Sequence, residues 1–198
     1  DSDNGYAQEF VRRMDLGDAR TLLDVGCGAG TIALRVAAQL EQVIGLDYSA
    51  GMLERMRERA AMQDLNNVHT CLRAWDDDWA DVPRCDIVVA SRSSMGPDPA
   101  YVLENMTSHA RRRCYMTHLA DGHFGDAAIA ELLGRKKRAF PDYIYIVNLL
   151  HRMGIHPRLD YIVLPGRLAG TDNVDEFIKK VTWTFGDLSD DETQRLRD

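Results

Sequence analysis

The chain has 198 residues, of which 45% are hydrophobic and 28% charged, and its formal net charge is -7. That size suits one domain with a substantial core, and no apolar run approaches the ~20 residues needed to span a bilayer. The acidic balance argues against affinity built on broad contact with phosphate backbones, which needs clustered Lys and Arg. It favours a small-molecule partner over nucleic acid or a membrane.

Residues 1–20 read as an N-terminal helical segment. Asp3 or Asn4 is placed to cap a short amphipathic helix through Tyr6, Phe10, Val11 and Met14, ending near Gly17. A first strand follows over Thr21 to Val25, and Thr31 to Leu40 carries apolar residues at helical intervals. The second strand, Val43 to Asp47, ends in a carboxylate. Ser49 is a good cap for a helix from Ala50 to about Met62.

Val68 to Leu72 is the third strand and Cys85 to Ser91 the fourth, whose unbroken apolar centre suits a parallel strand buried on both faces. Pro97 and Pro99 punctuate a loop before a helix of roughly Ala100 to Ala110, and Cys114 to Leu119 makes a fifth strand. Tyr143 to Val147 has strand propensity. The apolar pattern nevertheless runs on through Leu149, Leu150 and Met153, with Pro141 before it and Gly154 after, so a helix over 142–153 is expected. A sixth strand is expected over Arg158 to Leu164, then a C-terminal helical segment, 165–198, with one amphipathic helix from Val174 to about Phe185.

This alternation predicts an α/β fold with a mostly parallel sheet and helices on both faces. One domain is expected over 1–198, with its α/β core at 21–164. The start at Asp1, without an initiator Met or a charged-then-apolar leader, reads as a trimmed piece with no signal peptide.

The most informative run is Leu22 to Leu34, which compresses a buried strand, a glycine turn and a helix start into thirteen residues. Gly26, Gly28 and Gly30 let the backbone take positive φ and approach a ligand closely, and they aim amide groups at an anion. A dinucleotide-binding turn reads G-x-G-x-x-G; here the third glycine comes one position early, and Thr31 stands where that motif wants Gly or Ala. A NAD-dependent oxidoreductase is disfavoured on that ground.

The form D-x-G-x-G-x-G, from Asp24 to Gly30, resembles motif I of the class I S-adenosylmethionine (SAM) dependent methyltransferases. The run Asp47-Tyr48-Ser49 with Met52-Leu53 is similar to that family's second motif. The resemblance implies a Rossmann-like class I fold, SAM as cofactor and S-adenosyl-L-homocysteine (SAH) as product. It also implies a cofactor site made of Asp24, Gly26, Cys27, Gly28, Gly30, Asp47, Tyr48, Met52, Ala74, Trp75 and Ser91, with no metal. Asp47 is then the ribose-binding acid, and Tyr48 lies against the adenine.

Two departures qualify the likeness. The family's third motif offers an acid followed by Ala, whereas this chain reads Arg73-Ala74-Trp75-Asp76, so adenine recognition passes to backbone atoms, Asp76 or a stacking Trp75. The family's antiparallel seventh strand is missing from the sequence. In the loop after the fourth strand, Ser91 or Arg92 is expected to face the gap between cofactor and acceptor. His118 and His123 are the candidate general bases, because they flank the loop after the fifth strand.

The expected activity is methyl transfer from SAM to a small-molecule acceptor. Methylation of RNA or protein, with Arg135 to Arg138 as a docking patch, and a non-catalytic SAM-binding protein are the alternatives. Cys27, Cys71, Cys85 and Cys114 form no C-x-x-C pair and read as reduced thiols of a cytoplasmic protein, Cys27 serving as turn filler. The basic runs Arg111 to Arg113 and Arg135 to Arg138 are either local anion sites or solvated loops and helix ends.

Overall fold

Five parallel strands carry the fold. In chain order the elements are α1 (Tyr6–Arg12), β1 (Thr21–Val25), α2 (Ala33–Val36) with a 3-10 turn over Ala37–Gln39, β2 (Gln42–Asp47), α3 (Ala50–Ala61), β3 (Val68–Leu72), β4 (Cys85–Ala90), α4 (Pro99–His109), β5 (Ala110–Met116), α5 (Ala127–Leu132), α6 (Tyr143–Arg152), α7 (Val174–Phe185) and α8 (Asp190–Arg197). This computed structural model describes residues 5–94, 98–120, 125–135, 142–164 and 168–197. The expected caps Asp3 and Asn4, and Pro97, Pro141 and His123, lie outside them.

The chain divides into two compact units, Asp3–His118 and Leu119–Asp198. All five strands belong to the first, in the order β3-β2-β1-β4-β5. Leu23, Val25, Ile44, Leu46, Val88 and Ala90 share one face of the sheet and pack with Trp79, Val82 and the α4 residues Val102 and Met106. On the other face Leu22, Val43, Ile87 and Val89 are wholly buried. Burial on both faces explains why these strands read as continuous apolar runs. The result is a Rossmann-like parallel sheet with helices around it.

Two strand expectations are corrected. β5 starts at Ala110, four residues before the expected Cys114, and pairs with β4 across an irregularity between Cys85 and Ile87. Its arginines look unlike strand residues in sequence, but Arg112 pairs with Asp18 and Asp86, and Arg113 with Asp15 and Asp18. Those two side chains are therefore engaged with carboxylates of their own unit.

The sixth strand, expected over Arg158 to Leu164, does not form: none of these residues pairs with a strand among the described residues, and Leu159, Tyr161 and Val163 stay exposed. Alternating apolar side chains make a strand only where a neighbouring strand takes up the backbone N–H and C=O groups.

Ser49, Asp98, Asp142 and Asn173 cap α3, α4, α6 and α7 through their side chains. The helix expected over Thr31 to Leu40 is shorter, a single α-turn and a 3-10 turn.

In the second unit, Ile129, Leu133, Val181 and Leu196 form a small core joined by Phe177, Ile178 and Phe185. Arg135 donates to the Phe185 and Asp187 carbonyls and pairs with Glu192, which holds that carboxyl down at about 2. Arg135 thus acts as a staple within its unit. Lys136 to Arg138 lie outside the described residues.

Candidate cofactor site

The sheet order reverses direction at β1 and β4: from β1 the chain builds outward through β2 and β3, then returns to place β4 on the other side of β1. Crevices outside the carboxyl ends of strands at such a point are where parallel sheets bind ligands. The glycine turn Gly26–Gly30 sits there. Gly26, Gly28 and Gly30 have φ of 66°, 53° and 81°, a region that other L-residues enter at a cost of roughly 1–2 kcal/mol.

Two of these positions need glycine for different reasons. A Cβ on Gly26 would collide with the Ser93 side chain, so the turn and the loop after β4 are in direct contact. A Cβ on Gly28 would meet nothing within 4 Å. Gly26 is therefore a packing requirement, while Gly28 presents bare backbone toward open space.

Asp47 joins the turn to the end of β2. Its Oδ2 accepts from the Gly28 amide at 2.8 Å and its Oδ1 from the Ser49 amide at 2.8 Å. A carboxylate offers about four lone-pair positions, so each oxygen keeps capacity for a further donor. The Gly26 and Cys27 amides are taken by the Leu46 carbonyl, at 2.7 and 3.1 Å. Among the described residues the Thr31 and Ile32 amides have no protein acceptor. With only one turn in α2, anion attraction here comes from individual N–H groups more than from a helix dipole.

Asp24 lies beneath the turn, 2% exposed, and its Oδ2 accepts from the Ala33 amide at 3.2 Å. Burial raises its carboxyl to about 7; the Ala33 N–H opposes the rise and the nearby Asp47 charge adds to it. Asp24 therefore shapes the turn from below and does not line its surface.

Cys27 is buried too, and burial raises its thiol, with the Asp24 and Asp47 charges adding to the effect. Both effects disfavour the thiolate, the form in which a thiol acts as a nucleophile.

The remaining expected residues divide into two groups. Tyr48, next in sequence to Asp47, is 78% exposed, and Met52, in the first turn of α3, is 39% exposed. Trp75 donates from Nε1 to the Ser93 carbonyl at 2.8 Å and stacks on Trp79 at 5.3 Å between centroids. The Ala74 carbonyl accepts from Trp79 Nε1 at 2.9 Å, and Arg73 pairs with Asp81.

Ser91 is hydrogen-bonded to the Tyr6 hydroxyl at 2.7 Å. His118, at the end of the first unit, lies 3.4 Å from the Ser94 hydroxyl through Nδ1. Sequence reasoning missed Ser93, which touches Gly26, Val25 and Trp75, and Tyr6, which reaches the loop after β4 from α1. A lone serine and a helix tyrosine carry no spacing signal.

The family described as "Methyltransferase domain" matches residues 16–128. The chain belongs to the class I SAM-dependent methyltransferase family. An uncharacterized protein of Haemophilus influenzae is 33% identical over 194 residues, covering 98% of this chain and 72% of that protein. A trans-aconitate 2-methyltransferase of Azoarcus sp. is 32% identical over 108 residues, 53% of this chain and 40% of that enzyme. Shorter matches include an enzyme named for 23S rRNA.

Among solved structures, the magnesium protoporphyrin IX methyltransferase of Synechocystis PCC 6803 with bound SAH superposes with a TM-score of 0.67 at 17% identity, covering 82% of this chain and 77% of that one. The family is one of enzymes, and its methyl donor is SAM. Among the described residues, no helix is long and apolar enough to cross a membrane.

Proposed function

We propose that this methyltransferase-family chain moves a methyl group from SAM to a small-molecule acceptor in the cytoplasm. One observation carries the reading: the glycine turn and Asp47 are hydrogen-bonded to each other at the switch point of the sheet, with acceptor capacity left on Asp47 and bare backbone at Gly28. The residues fit the donor. Asp47 would hold the ribose hydroxyls, Tyr48, Met52 and Trp75 would line the adenine, and the Thr31 and Ile32 amides would meet the methionine carboxylate.

When bound, SAM would supply an electrophilic methyl: as the acceptor atom bonds to it, the carbon–sulfur bond would break and its electron pair would stay on the sulfur of SAH. The protein's part is to hold the acceptor against that methyl and exclude water, an effect worth up to ~7–11 kcal/mol of barrier. Where the acceptor arrives protonated, His118 is the base we favour from its position after β5, steadied by Ser94. His123 is the second candidate.

A small acceptor is supported by the charge of -7 and by the engagement of Arg112, Arg113 and Arg135 with acids of their own units. The Azoarcus relative is named for a small acid. Four free cysteines suit a reducing compartment.

The test is calorimetry with SAM and SAH, followed by label transfer from methyl-labelled SAM into metabolite and RNA fractions. Affinity for both cofactors and label in the metabolite fraction are expected. Label in RNA alone would overturn the acceptor class, and folded protein without affinity for SAH would overturn the whole reading.

A further inference from the structure

Arg92 is the second residue after β4 and has a φ of 59°, in the left-handed region, without being Gly, Asn or Asp. Such strain persists where its surroundings over-determine it. Here the surroundings are specific. The Arg92 amide donates to Thr117 Oγ1 at 2.9 Å; Thr117 Oγ1 is 2.9 Å from the Tyr6 hydroxyl, which is in turn 2.7 Å from Ser91 Oγ. One phenol and two hydroxyls, from α1, β4's end and β5's end, lock the backbone at this residue.

The side chain is held as well. The Arg92 guanidinium carbon lies 3.5 Å from the centroid of the Tyr6 ring, and Tyr6 is buried beneath it. A guanidinium held over an aromatic ring keeps N–H donors for a partner and has less freedom left to lose on binding one. Arg112 and Arg113 pair with carboxylates. Arg92 pairs with none among the described residues. Its neighbour Ser93 packs on Gly26, so Arg92 stands one residue from the point where the loop after β4 meets the glycine turn.

We propose that the Arg92 guanidinium, laid on the Tyr6 ring at the end of β4, binds a carboxylate of the methyl acceptor. The planar fork matches two carboxylate oxygens. A single cation, with its neighbouring hydroxyls already bonded to one another, matches a monoanion better than a phosphate. This inference rests on the methyltransferase reading above.

The test uses the full chain and a metabolite extract separated on an anion exchanger before reaction, with methyl-labelled SAM as donor. Acceptor activity is expected in the anion-bound fraction and is expected to survive phosphatase treatment. Arg92→Gly relieves the left-handed strain and should fold at least as well. It should keep its affinity for SAH while its KM for the acceptor rises tenfold or more, and Arg92→Lys should fall between.

Acceptor activity in the unbound fraction, activity destroyed by phosphatase, or an unchanged KM in Arg92→Gly each overturns the proposal. So does transfer to no fraction while SAH still binds. Loss of SAH binding in the unaltered chain would instead defeat the methyltransferase reading itself.

Discussion

The Gly28 amide and the Asp47 carboxylate meet at 2.8 Å, nineteen residues apart in sequence, and tie the turn after β1 to the end of β2. Each holds the other in position before any ligand arrives. That preorganisation makes Asp47 the residue whose alteration should affect the cofactor most directly. In Asp47→Asn one oxygen becomes an N–H2 group facing a backbone N–H, either at Gly28 or at Ser49, and the charge is lost. The expected result is a rise in the SAH dissociation constant of roughly 10- to 150-fold, matching about 1.5–3 kcal/mol of charge-assisted hydrogen bonding. Calorimetry reads it directly, and an unchanged constant would falsify the assignment of Asp47 to the ribose.

The turn's first two glycines should respond differently to the same change. Gly26→Ala adds a collision with Ser93 to the cost of positive φ, for a loss of about 2–5 kcal/mol in stability. Gly28→Ala carries only the φ cost, about 1–2 kcal/mol. It should remain folded while binding SAH poorly. Thermal denaturation with and without SAH separates the two; equal losses of stability would mean that the packing against Ser93 is not what excludes a side chain at Gly26.

Asp24 gives the first unit a pH dependence of unusual sign. Its folded-state carboxyl sits at about 7 against 3.8 in a free chain, so between those values the folded state binds the extra proton. Stability from this group is full below about pH 4 and declines as pH rises toward 7, by up to about 4 kcal/mol. Asp24→Asn keeps an oxygen for the Ala33 amide and removes the titration. Its denaturant midpoint should vary less between pH 4 and 7 than that of the unaltered chain, and parallel profiles would count against the buried charge.

The second unit should show the opposite slope on the acid side. Glu192 is held down at about 2, first by Arg135 and then by the Ser189 amide. Its stabilising contribution is present above pH 4.5 and is lost as pH falls toward 2. Arg135→Ala removes the Glu192 partner and the donors to the Phe185 and Asp187 carbonyls. Hydrogen exchange is expected to quicken over α7 and α8 while β1 to β5 keep their protection. Unaltered exchange in those helices would deny Arg135 its role.

Much of this was legible in the sequence because it depends on short-range chemistry. The glycine turn, the carboxylate closing β2 and the side-chain cap at Ser49 are local devices, each signalled within a few residues. β5 was harder to place, because its arginines become strand residues only when Asp15, Asp18 and Asp86 arrive from elsewhere in the chain to balance them. The expected strand at Arg158 to Leu164 failed for the converse reason: the alternation was there, but among the described residues no strand pairs with it. Tyr6 and Ser93 lie at opposite ends of the first unit's sequence, and only the folded sheet brings them to the same loop.

Cys27 sits buried in the middle of the turn, where desolvation and the Asp24 and Asp47 charges disfavour its thiolate. Peroxide and alkylating reagents therefore have little purchase on the residue that one would first suspect of redox sensitivity. The cradle should keep working through oxidative episodes that modify more accessible thiols.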